Sequence, residues 1–388
     1  MSSIILRFAK AKVPTGANQP PGEYRANLSA LAFAGGGRVL FFGGDETVEE
    51  EPTIEMLTQI SGGNYAGHKS LKVSTFIALP DPSVNKGRVG EIDIEGLAND
   101  GGYLWIIGSH SCNRKQPKIA EDGLAKSLKR LAEVQEGSNR FFLGRIPLKD
   151  DGTTTELMKS VGGLKAGRLL GDESDGQLLK DLSEDDHFAP FFALFKNHKG
   201  ATVRLPSKDN GFDIEGLAVR GDRVFIGLRG PVLRGWACIL ELKVQGKGVD
   251  GDFRLTDLMP GGAGEEARLY RKHFVALDGL GIRDLELDGD NLLILAGPTM
   301  ALDGPARVFE WTGALGAMST GDTLTPQAVG TLEKVIEIPV QDGHDHPEGI
   351  ALIPPVNQKQ RNILAIYDSP AKARLVNDTD VSADVFAL

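Results

Sequence analysis

The sequence predicts an all-β protein of the β-propeller type, and three observations support that prediction. Glycine supplies 49 of the 388 residues, well above a usual share of ~7%, as expected for a chain with many tight turns. One short motif recurs along the chain, which is the sequence signature of a repeat architecture. Most copies of the motif are evenly spaced, so that one supersecondary unit of nearly constant length is repeated.

The recurring motif is an Ile-Glu-Gly-Leu-Ala-like stretch followed by a Gly/Asp turn and an apolar run. Two short apolar segments around such a turn predict a β-hairpin. Five copies are present, and their first strands begin near residues 27–32, 93–98, 213–218, 282–287 and 347–351. The equivalent position of the five copies, which we call the glutamate column, is occupied by Ser29, Glu95, Glu215, Arg283 and Glu348.

The separations along the glutamate column are 66, 120, 68 and 65 residues. A period in the sixties holds four strands of about five to six residues with their turns, which is one propeller blade of the long kind. The alternative is a β-sandwich or barrel whose hairpins are alike by chance. The outer strands are predicted from further apolar segments at residues 75–79, 140–146, 237–242, 307–311 and 335–338.

The interval of 120 residues holds either a sixth blade or insertions. Residues 119–135 carry leucines at helical spacing, and residues 175–195 begin with three more, so both segments are predicted to be amphipathic helices. Neither contains a hairpin of the repeat type. We therefore predict one domain over residues 1–388 with five blades and helical insertions at 111–139 and 150–208, six blades being the alternative.

Composition limits the possible partners. The net charge of −10 and the pI near 5.3 argue against binding to nucleic acid or to an anionic membrane. Two cysteines are too few for a disulfide scaffold, and the N-terminal apolar run is broken by Arg7, too early for a signal peptide or a membrane span. We expect a cytoplasmic protein whose partner is a small molecule or another protein.

Propeller geometry predicts where chemistry would occur. The innermost strand of each blade lines the central channel, and the hairpin returns the chain to the same end. Two sets of residues should therefore lie together at one mouth of the channel: those that begin the first strands and those that follow the second strands. The first set is Asn27, Ser29, Asp93, Glu95, Asp213, Glu215, Arg283, Asp284, His346 and Glu348. The second set is Asp45, Glu46, Ser109, His110, Arg229, Pro298, Thr299, Asp368 and Ser369.

Three glutamates near one axis raise one another's pKa unless a cation compensates. Ca²⁺ or Mg²⁺ accepts several carboxylate oxygens at once, which makes Glu95, Glu215 and Glu348 candidate metal ligands. Arg229 and Arg283 offer another solution, in which the ring is a salt-bridged polar pocket. In a third, the glutamates only accept backbone hydrogen bonds from the neighbouring blade. The sequence leaves these three alternatives open.

The candidate catalytic residues are His110 and His346 as general bases, with Arg229 and Arg283 binding an anionic group of the substrate. A histidine in a surface loop is nevertheless more often inert. The glycine-rich segment 261–264 lacks the lysine of a phosphate loop, so no nucleotide cofactor is expected. Further candidate ligand contacts at the mouth are Asp93, Asp213, Asp45, Glu46, Ser109, Asp368 and Lys208.

One long motif carries a resemblance to a known family. Residues 207–218, Ser-Lys-Asp-Asn-Gly-Phe-Asp-Ile-Glu-Gly-Leu-Ala, together with Gly-Leu-Arg-Gly-Pro-Val-Leu-Arg-Gly-Trp-Ala at 227–237, resemble the signature of an uncharacterised bacterial family, the domain of unknown function numbered thirty-six sixteen. The first Asp-Ile-Glu-Gly-Leu-Ala, at 93–98, and Tyr-Asp-Ser-Pro at 367–370 fit it as well. The resemblance covers nearly the whole chain and implies no assigned activity.

More remotely, the Glu-Gly-Leu/Ile-Ala repeats are similar to those of phytase-like esterase propellers. That similarity implies calcium-supported hydrolysis of esters or phosphate esters. The chain departs from a symmetric metal ring because Ser29 and Arg283 stand in the glutamate column.

The predicted function is thus binding of a small, anionic ligand or a divalent cation at an acidic channel mouth. Its enzymatic form would be a metal-assisted hydrolase of esters or phosphoesters. The competing prediction is a non-catalytic propeller that binds a partner protein or scaffolds a complex. That class predicts an exposed apolar patch, for which Leu124, Leu128 and Leu131 are the residues to inspect.

Overall fold

The computed structural model describes residues 2–11, 23–85, 87–172, 174, 176–197, 199–246, 251–258, 267–341, 343–355 and 361–388. Strands dominate this part of the chain and helices are few, which confirms the all-β prediction. No helix among the described residues is both long and apolar enough to span a membrane.

The longer strands are numbered in chain order. They are β1 (Ser2–Arg7), β2 (Ala30–Ala34), β3 (Val39–Gly43), β4 (Thr53–Gln59), β5 (Tyr65–Lys72), β6 (Ile94–Asp100), β7 (Tyr103–Gly108), β8 (Leu143–Asp150), β9 (Thr155–Leu157), β10 (Asp213–Arg220), β11 (Arg223–Gly230), β12 (Trp236–Gly246), β13 (Tyr270–Ala276), β14 (Gly281–Asp288), β15 (Asn291–Gly297), β16 (Ala306–Trp311), β17 (Leu332–Ile338), β18 (His346–Leu352), β19 (Asn362–Asp368) and β20 (Asp380–Ala387).

Shorter strands lie at Val84–Asn85, Arg88–Val89, Cys112–Arg114, Val134–Glu136, Ser160–Val161, Leu164–Lys165, Gly167–Arg168, Phe195–Lys196, Thr202–Val203, Phe253–Leu255 and Thr323–Thr325. The α-helices are α1 (Ile119–Leu131), α2 (Gln177–Glu184) and α3 (Ala314–Ala317). Single 3₁₀ turns occur at Tyr24–Ala26, Gly35–Gly37, Ser61–Gly63, Val73–Thr75, Ser138–Arg140, Ala189–Phe192, Ser207–Asp209, Met318–Thr320 and Lys372–Arg374.

The longer strands pair in runs of four, in the orders β2-β3-β4-β5, β6-β7-β8-β9, β10-β11-β12-β13, β14-β15-β16-β17 and β18-β19-β20-β1. β1 pairs antiparallel with β20 along its whole length, from Ser2 opposite Val385 to Arg7 opposite Asp380. The N-terminal strand thereby completes the sheet that the C-terminal strands begin.

The first strands of these runs, β2, β6, β10, β14 and β18, contact one another in sequence order, and β18 contacts β2. At two junctions the contact is a hydrogen bond. The hydroxyl of Ser29 donates to the carbonyl of Ile94, and the backbone N–H of Ile350 donates to Oδ2 of Asp284 at 2.8 Å. A closed ring of inner strands with sheets behind it is the arrangement of a β-propeller.

At the other three junctions, the glycine of the recurring motif faces a leucine of the next inner strand. A Cβ atom at Gly96 would lie 2.5 Å from Cβ of Leu217. The equivalent clashes are 2.9 Å between Gly216 and Leu285, and 2.7 Å between Gly349 and Leu31. The Glu-Gly-Leu pattern therefore reflects the close packing of adjacent inner strands, because only glycine admits the leucine.

The hydrophobic core lies between neighbouring sheets. Trp105 is 1% exposed, and its ring meets that of Phe253 edge-on at 5.5 Å, so it joins the second sheet to the third. Trp311 is equally buried and belongs to the cluster that also contains Phe225. Large aromatic rings at these positions bury the most apolar area per residue, which stabilises the contacts between sheets.

One sequence prediction about the outer strands was wrong. Residues 75–79, predicted to be a strand, follow a 3₁₀ turn and are not a strand; the outer strands of the first sheet are the preceding β4 and β5. The apolar side chains of Ile77 and Leu79 are buried from an irregular segment. The described part of the predicted insertion 150–208 also contains β9 and, at residues 160–168, three two-residue strands.

Candidate functional site

The glutamate column coincides with a β-bulge in four of the five inner strands. The pairing between β6 and β7 shifts register between Ile94 and Gly96, which leaves Glu95 as the extra residue. Equivalent register shifts in the later sheets leave Glu215, Arg283 and Glu348 as the extra residues. Bulges turn a side chain away from its regular direction and are common beside functional sites.

Two arginines alternate with the carboxylates of the column. Arg229 pairs with Asp213 and, through Nη1, with Oε1 of Glu215 at 2.5 Å. Nη1 of Arg283 lies 3.0 Å from Oε2 of Glu215 and 2.8 Å from Oε1 of Glu348. These five residues, which we call the arginine chain, come from three different sheets. Of the three alternatives, the geometry favours the arginine-balanced pocket.

Arg140 is a mouth residue that the sequence analysis missed. It pairs with Asp93, and its Nη2 lies 2.5 Å from Oε1 of Glu91. Arg140 is buried and precedes β8, the third strand of its sheet. The predicted mouth residues all lie beside first or second strands, although loops before third strands reach the same mouth.

Other carboxylates at the mouth have no cationic partner. We call Asp45, Glu46, Glu95 and Asp368 the unpaired carboxylates. Within the described residues none of the four has an ion pair with lysine, arginine or histidine, and only Asp368 accepts a side-chain hydrogen bond, from Oγ of Ser369 at 3.0 Å. Glu95 is only 9% exposed, and Oδ1 of Asp45 is buried without a hydrogen-bond partner.

Burial and mutual repulsion raise the pKa of several of these groups. Burial is the main cause for Glu95, whose pKa lies well above its usual range, and Asp93, Glu215 and Glu348 add to the rise. Burial likewise raises the pKa of Asp45, with contributions from Asp368 and Glu348. A buried carboxyl without a counter-charge holds its proton at a higher pH.

The arginines of the arginine chain oppose the rise in pKa that burial causes in their carboxylate partners. Burial raises the pKa of Glu215, whereas Arg229 and Arg283 oppose the rise. Burial also raises the pKa of Asp213 to about 7, against the opposing effect of Arg229. The mouth thus combines carboxylates fixed by arginines with carboxylates that favour the protonated form.

His110 lies in a buried pocket of its own. Its Nδ1 is 2.8 Å from the carbonyl oxygen of Gly108 and its Nε2 is 2.8 Å from Oδ1 of Asp172. Both partners are acceptors, so a protonated ring that donates from both nitrogens fits best. Burial is the largest single influence on the pKa of His110 and lowers it, but Asp172 and the carbonyl of Gly108 together outweigh burial, and the net direction is upward. The structure therefore does not give His110 a free nitrogen for general-base chemistry.

The remaining candidates are placed around the rim. His346 is half exposed, and its Nε2 lies 3.5 Å from Oδ1 of Asp303. The hydroxyl of Ser109 is buried and accepts hydrogen bonds from Ser111 and Arg140. Lys208 is exposed beside the mouth, close enough to influence Glu215 and Glu348 electrostatically.

The three glutamates do not fit a shared divalent cation. Both oxygens of Glu215 and one of Glu348 face arginine nitrogens, and a guanidinium repels a metal ion at the same position. Across the described ranges, no group of three His, Cys, Asp or Glu side chains has the arrangement of a metal site. We derive no chemical step through Ca²⁺ or Mg²⁺.

Comparison with known proteins identifies the family. The model of the family described as "Protein of unknown function (DUF3616)" matches residues 27–384. The chain belongs to this family. The match includes every inner strand and every mouth residue named above, as the resemblance in the sequence predicted. No curated protein sequence matches the chain.

Solved structures share only a general likeness with this family member. The WD40 repeats of RRP9 are 8% identical with a TM-score of 0.34, over 98% of this chain and 100% of that one. A GH43 β-1,3-galactosidase is 8% identical with a TM-score of 0.39, over 96% and 94%. The periplasmic gluconolactonase of Pseudomonas aeruginosa is 14% identical with a TM-score of 0.28, over 93% and 73%. At such scores these likenesses carry no inference about activity.

Proposed function

We propose that the channel mouth binds a small organic ligand, which the unpaired carboxylates contact. The observation that carries this proposal is Glu95, which is 9% exposed and has no hydrogen-bond or ion-pair partner in the described part of the chain. An unpaired buried carboxyl costs free energy, and perturbed groups of this kind cluster at functional sites. A ligand that donates hydrogen bonds would satisfy Glu95.

The charge of the mouth favours a neutral or cationic ligand over an anionic one. The guanidinium groups of Arg229 and Arg283 are engaged by carboxylates, so they are not available to bind an anionic group. Among the ester substrates that the sequence suggested, carboxylic esters therefore fit better than phosphate esters.

The catalytic form of the proposal is acid–base hydrolysis of a carboxylic ester. Glu95, whose raised pKa favours the protonated form, would donate its proton to the leaving alkoxide oxygen. Glu348, held by Arg283, would accept a proton from the attacking water. Attack of the water on the carbonyl carbon forms the new C–O bond, and the ester C–O bond then breaks as the alkoxide takes the proton of Glu95. The proton that Glu348 took from the water passes to Glu95, which restores both groups as the carboxylic acid and the alcohol leave. Arg229 and Arg283 act as positioning residues.

A screen of carboxylic esters with three purified proteins tests this proposal. We expect the wild type to hydrolyse at least one ester class, and Glu95→Gln to lower kcat at least 100-fold with little change in KM. Glu156→Gln is the matched control, because Glu156 is exposed on the outer strand β9. Equal turnover by Glu95→Gln and the wild type would overturn the catalytic role.

The proposal includes finer features of the architecture. The runs of four strands are interpreted as five blades of one domain over residues 1–388. The segments 111–139 and 150–208, which contain α1 and α2, are interpreted as insertions, apart from β9 in the second segment, which completes its run of four strands. The cytoplasmic location stays part of the proposal, supported by two buried cysteines that form no disulfide.

A second candidate function is a non-catalytic interaction protein, and one observation favours it. Leu124, Leu128 and Leu131 on α1 are 65%, 57% and 45% exposed. A run of exposed leucines on a helix is typical of a surface that another protein covers. Light scattering of the wild type and of the double variant Leu124→Asp/Leu128→Asp tests self-association. An oligomeric mass for the wild type and a monomeric mass for the variant would support self-association through α1. Monomeric masses for both proteins would exclude self-association.

A further inference from the structure

The longest described helix, α1, lies on the surface with its apolar side open to solvent. All of its residues are described, and Ser127 is the single one that is buried. Leu124, Leu128 and Leu131 stand at positions i, i+4 and i+7, so they form one stripe along the helix. All three leucines are exposed. The stripe therefore lacks the surface that normally covers an apolar helix face.

A second pair of exposed apolar residues lies close to the end of α1. Leu194 and Phe195 are exposed and lead into a short hairpin. In the turn of this hairpin, Nδ2 of Asn197 donates to the carbonyl of Val134 at 3.0 Å, and Val134 lies only three residues beyond α1. The helix and the hairpin thus share one surface, which we call the insertion face and define as residues 114–136 and 194–203.

The insertion face has a charge opposite to that of the whole chain. Its sequence contains eight lysines and arginines against four acidic residues, whereas the chain has a net charge of −10. Successive helix residues are rotated by about 100°, so Lys129 and Arg130 flank the leucine stripe on its two sides. Asp122 pairs with both Lys126 and Arg130, so one carboxylate there serves two cations. The net charge of the chain does not describe this face.

We propose that the insertion face docks on an anionic lipid surface, with the leucine stripe inserted at the boundary between headgroups and acyl chains. A helix with leucines on one side and lysines and arginines on the other lies flat in this boundary and does not span the membrane. Long basic side chains at its flanks extend to the headgroups, and each adds attraction to anionic lipids.

The inference rests on the exposed leucines that support the second candidate function, and it is independent of the chemistry at the channel mouth. It names a lipid surface as their partner because the apolar residues come from two separate elements, α1 and the hairpin. A lipid surface accepts both elements without a matching shape, whereas a protein partner must be complementary to both.

The charges and the size of the helix disfavour a second copy of the chain as the partner. In a twofold-symmetric contact the same surface of both copies meets, which would bring Lys126, Lys129 and Arg130 together with their equivalents at a cost in free energy. Gly123 has a φ of 70°, so the regular part of α1 covers only residues 124–131. Two helices of ~12 Å bury much less than the ~800 Å² per partner of a standard interface.

Binding to vesicles tests the inference with the full chain. At low salt we expect at least tenfold stronger binding to vesicles of phosphatidylcholine and phosphatidylglycerol than to vesicles of phosphatidylcholine alone, and high salt should reduce the difference. Leu124→Ser/Leu128→Ser should weaken binding at least tenfold. The matched control is Leu324→Ser/Val329→Ser, which alters two exposed apolar residues outside the insertion face and should bind like the wild type. Far-UV circular dichroism of each variant excludes misfolding as the cause.

A charge variant tests the role of the lysines separately. Lys126→Gln/Lys129→Gln should weaken binding to the anionic vesicles at least threefold and leave binding to the neutral vesicles unchanged. Equal binding of this variant and the wild type to the anionic vesicles would contradict recognition of anionic lipid by this face.

Three further outcomes overturn the inference. These are equal binding of the wild type to both kinds of vesicle, full binding by Leu124→Ser/Leu128→Ser, and no vesicle binding at all. In the last case, a dimer in light scattering that Leu124→Ser/Leu128→Ser dissociates would assign the face to a second copy. Failure at the channel mouth is distinguishable, because Glu95→Gln should bind vesicles like the wild type whatever its ester turnover.

Discussion

The two ends of the inner strands are built with different residues. At the end opposite the mouth, the turns from first to second strands use glycines with φ near +60°, such as Gly101, Gly221 and Gly289. A Cβ atom at any of these three would meet nothing within 4 Å. At the mouth, non-glycine residues adopt the same left-handed backbone conformation. All seven described non-glycine residues with positive φ lie in loops at this end of the strands, whether near the channel or on the outer side of the sheets: Asp93, His110, Asn210, Arg234, Asp278, Asp345 and Ser369.

This difference agrees with the function proposed at the mouth. The left-handed conformation costs a non-glycine residue ~1–2 kcal/mol, and residues under such strain cluster at functional sites. Several of these side chains make specific contacts: Asp93 binds Arg140, His110 binds Asp172, and Asp345 binds Arg374 at 2.8 Å. At the opposite end, glycine allows the left-handed turn without strain. At the mouth, non-glycine residues adopt the same conformation at an energetic cost.

The largest expected effect comes from breaking the arginine chain. Arg229→Met leaves Asp213 and Glu215 buried without one of their cations, and we expect the free energy of unfolding to fall by ~3–5 kcal/mol at pH 8. The loss should be smaller at pH 5, where both carboxyls are protonated more readily. Urea unfolding at the two pH values measures it.

The control for Arg229 is an arginine on an outer strand. Arg307 on β16 pairs with the partly exposed Asp278 and Glu337, and Arg307→Met should cost less than about 1 kcal/mol because exposed ion pairs contribute little. Similar losses for Arg229→Met and Arg307→Met would contradict the view that the mouth depends on its internal charge balance.

Substitution of Glu95 should change the free energy of unfolding by a smaller amount and in the opposite direction. Its folded-state pKa is raised by burial, so the folded protein binds a proton more tightly than the unfolded chain. Stability must then decrease as the pH rises above the unfolded-state pKa of ~4.3. Glu95→Gln removes this penalty and should raise the free energy of unfolding by about 1 kcal/mol at pH 8, with no gain at pH 4.

A pH series of urea titrations on the wild type and Glu95→Gln measures this difference. The exposed Glu156→Gln should follow the wild type at every pH. A loss of stability in Glu95→Gln at pH 8 would mean that the carboxylate has a stabilising partner in the folded protein, which would also remove the observation behind the proposed function.

The sequence predicted those features of the repeat that depend on residues close together in the chain. The Glu-Gly-Leu spacing predicted the inner hairpins, and at three of the five junctions the glycine of one copy faces a leucine of the next. The glutamate column was predicted from periodicity without any knowledge of the bulges. β1, however, pairs with β20 at the far end of the chain, and no local pattern in residues 2–7 indicates a partner so distant.

The charge balance of the mouth was less predictable for the same reason. Arg229 and Arg283 were identified because they stand in the repeat, but Arg140 lies outside it and pairs with Asp93 across 47 residues. His110 was placed correctly beside its strand, yet its ring is held by Asp172, 62 residues away. Pairings of this kind depend on side-chain direction, which periodicity does not determine.

The smallest expected effects come from exchanging residues between the two types of turn. Gly289→Ala puts a Cβ on a residue with φ of 60° and should lower the free energy of unfolding by about 1 kcal/mol. Ser369→Gly relieves a φ of 49° but increases the freedom of the unfolded chain, so the two effects offset within about 0.5 kcal/mol. Thermal unfolding of both variants measures the contrast. If Ser369→Gly lowers stability more than Gly289→Ala does, then the hydroxyl of Ser369, which donates to Asp368 at 3.0 Å, stabilises the fold, and strain at the mouth would no longer indicate function at this position.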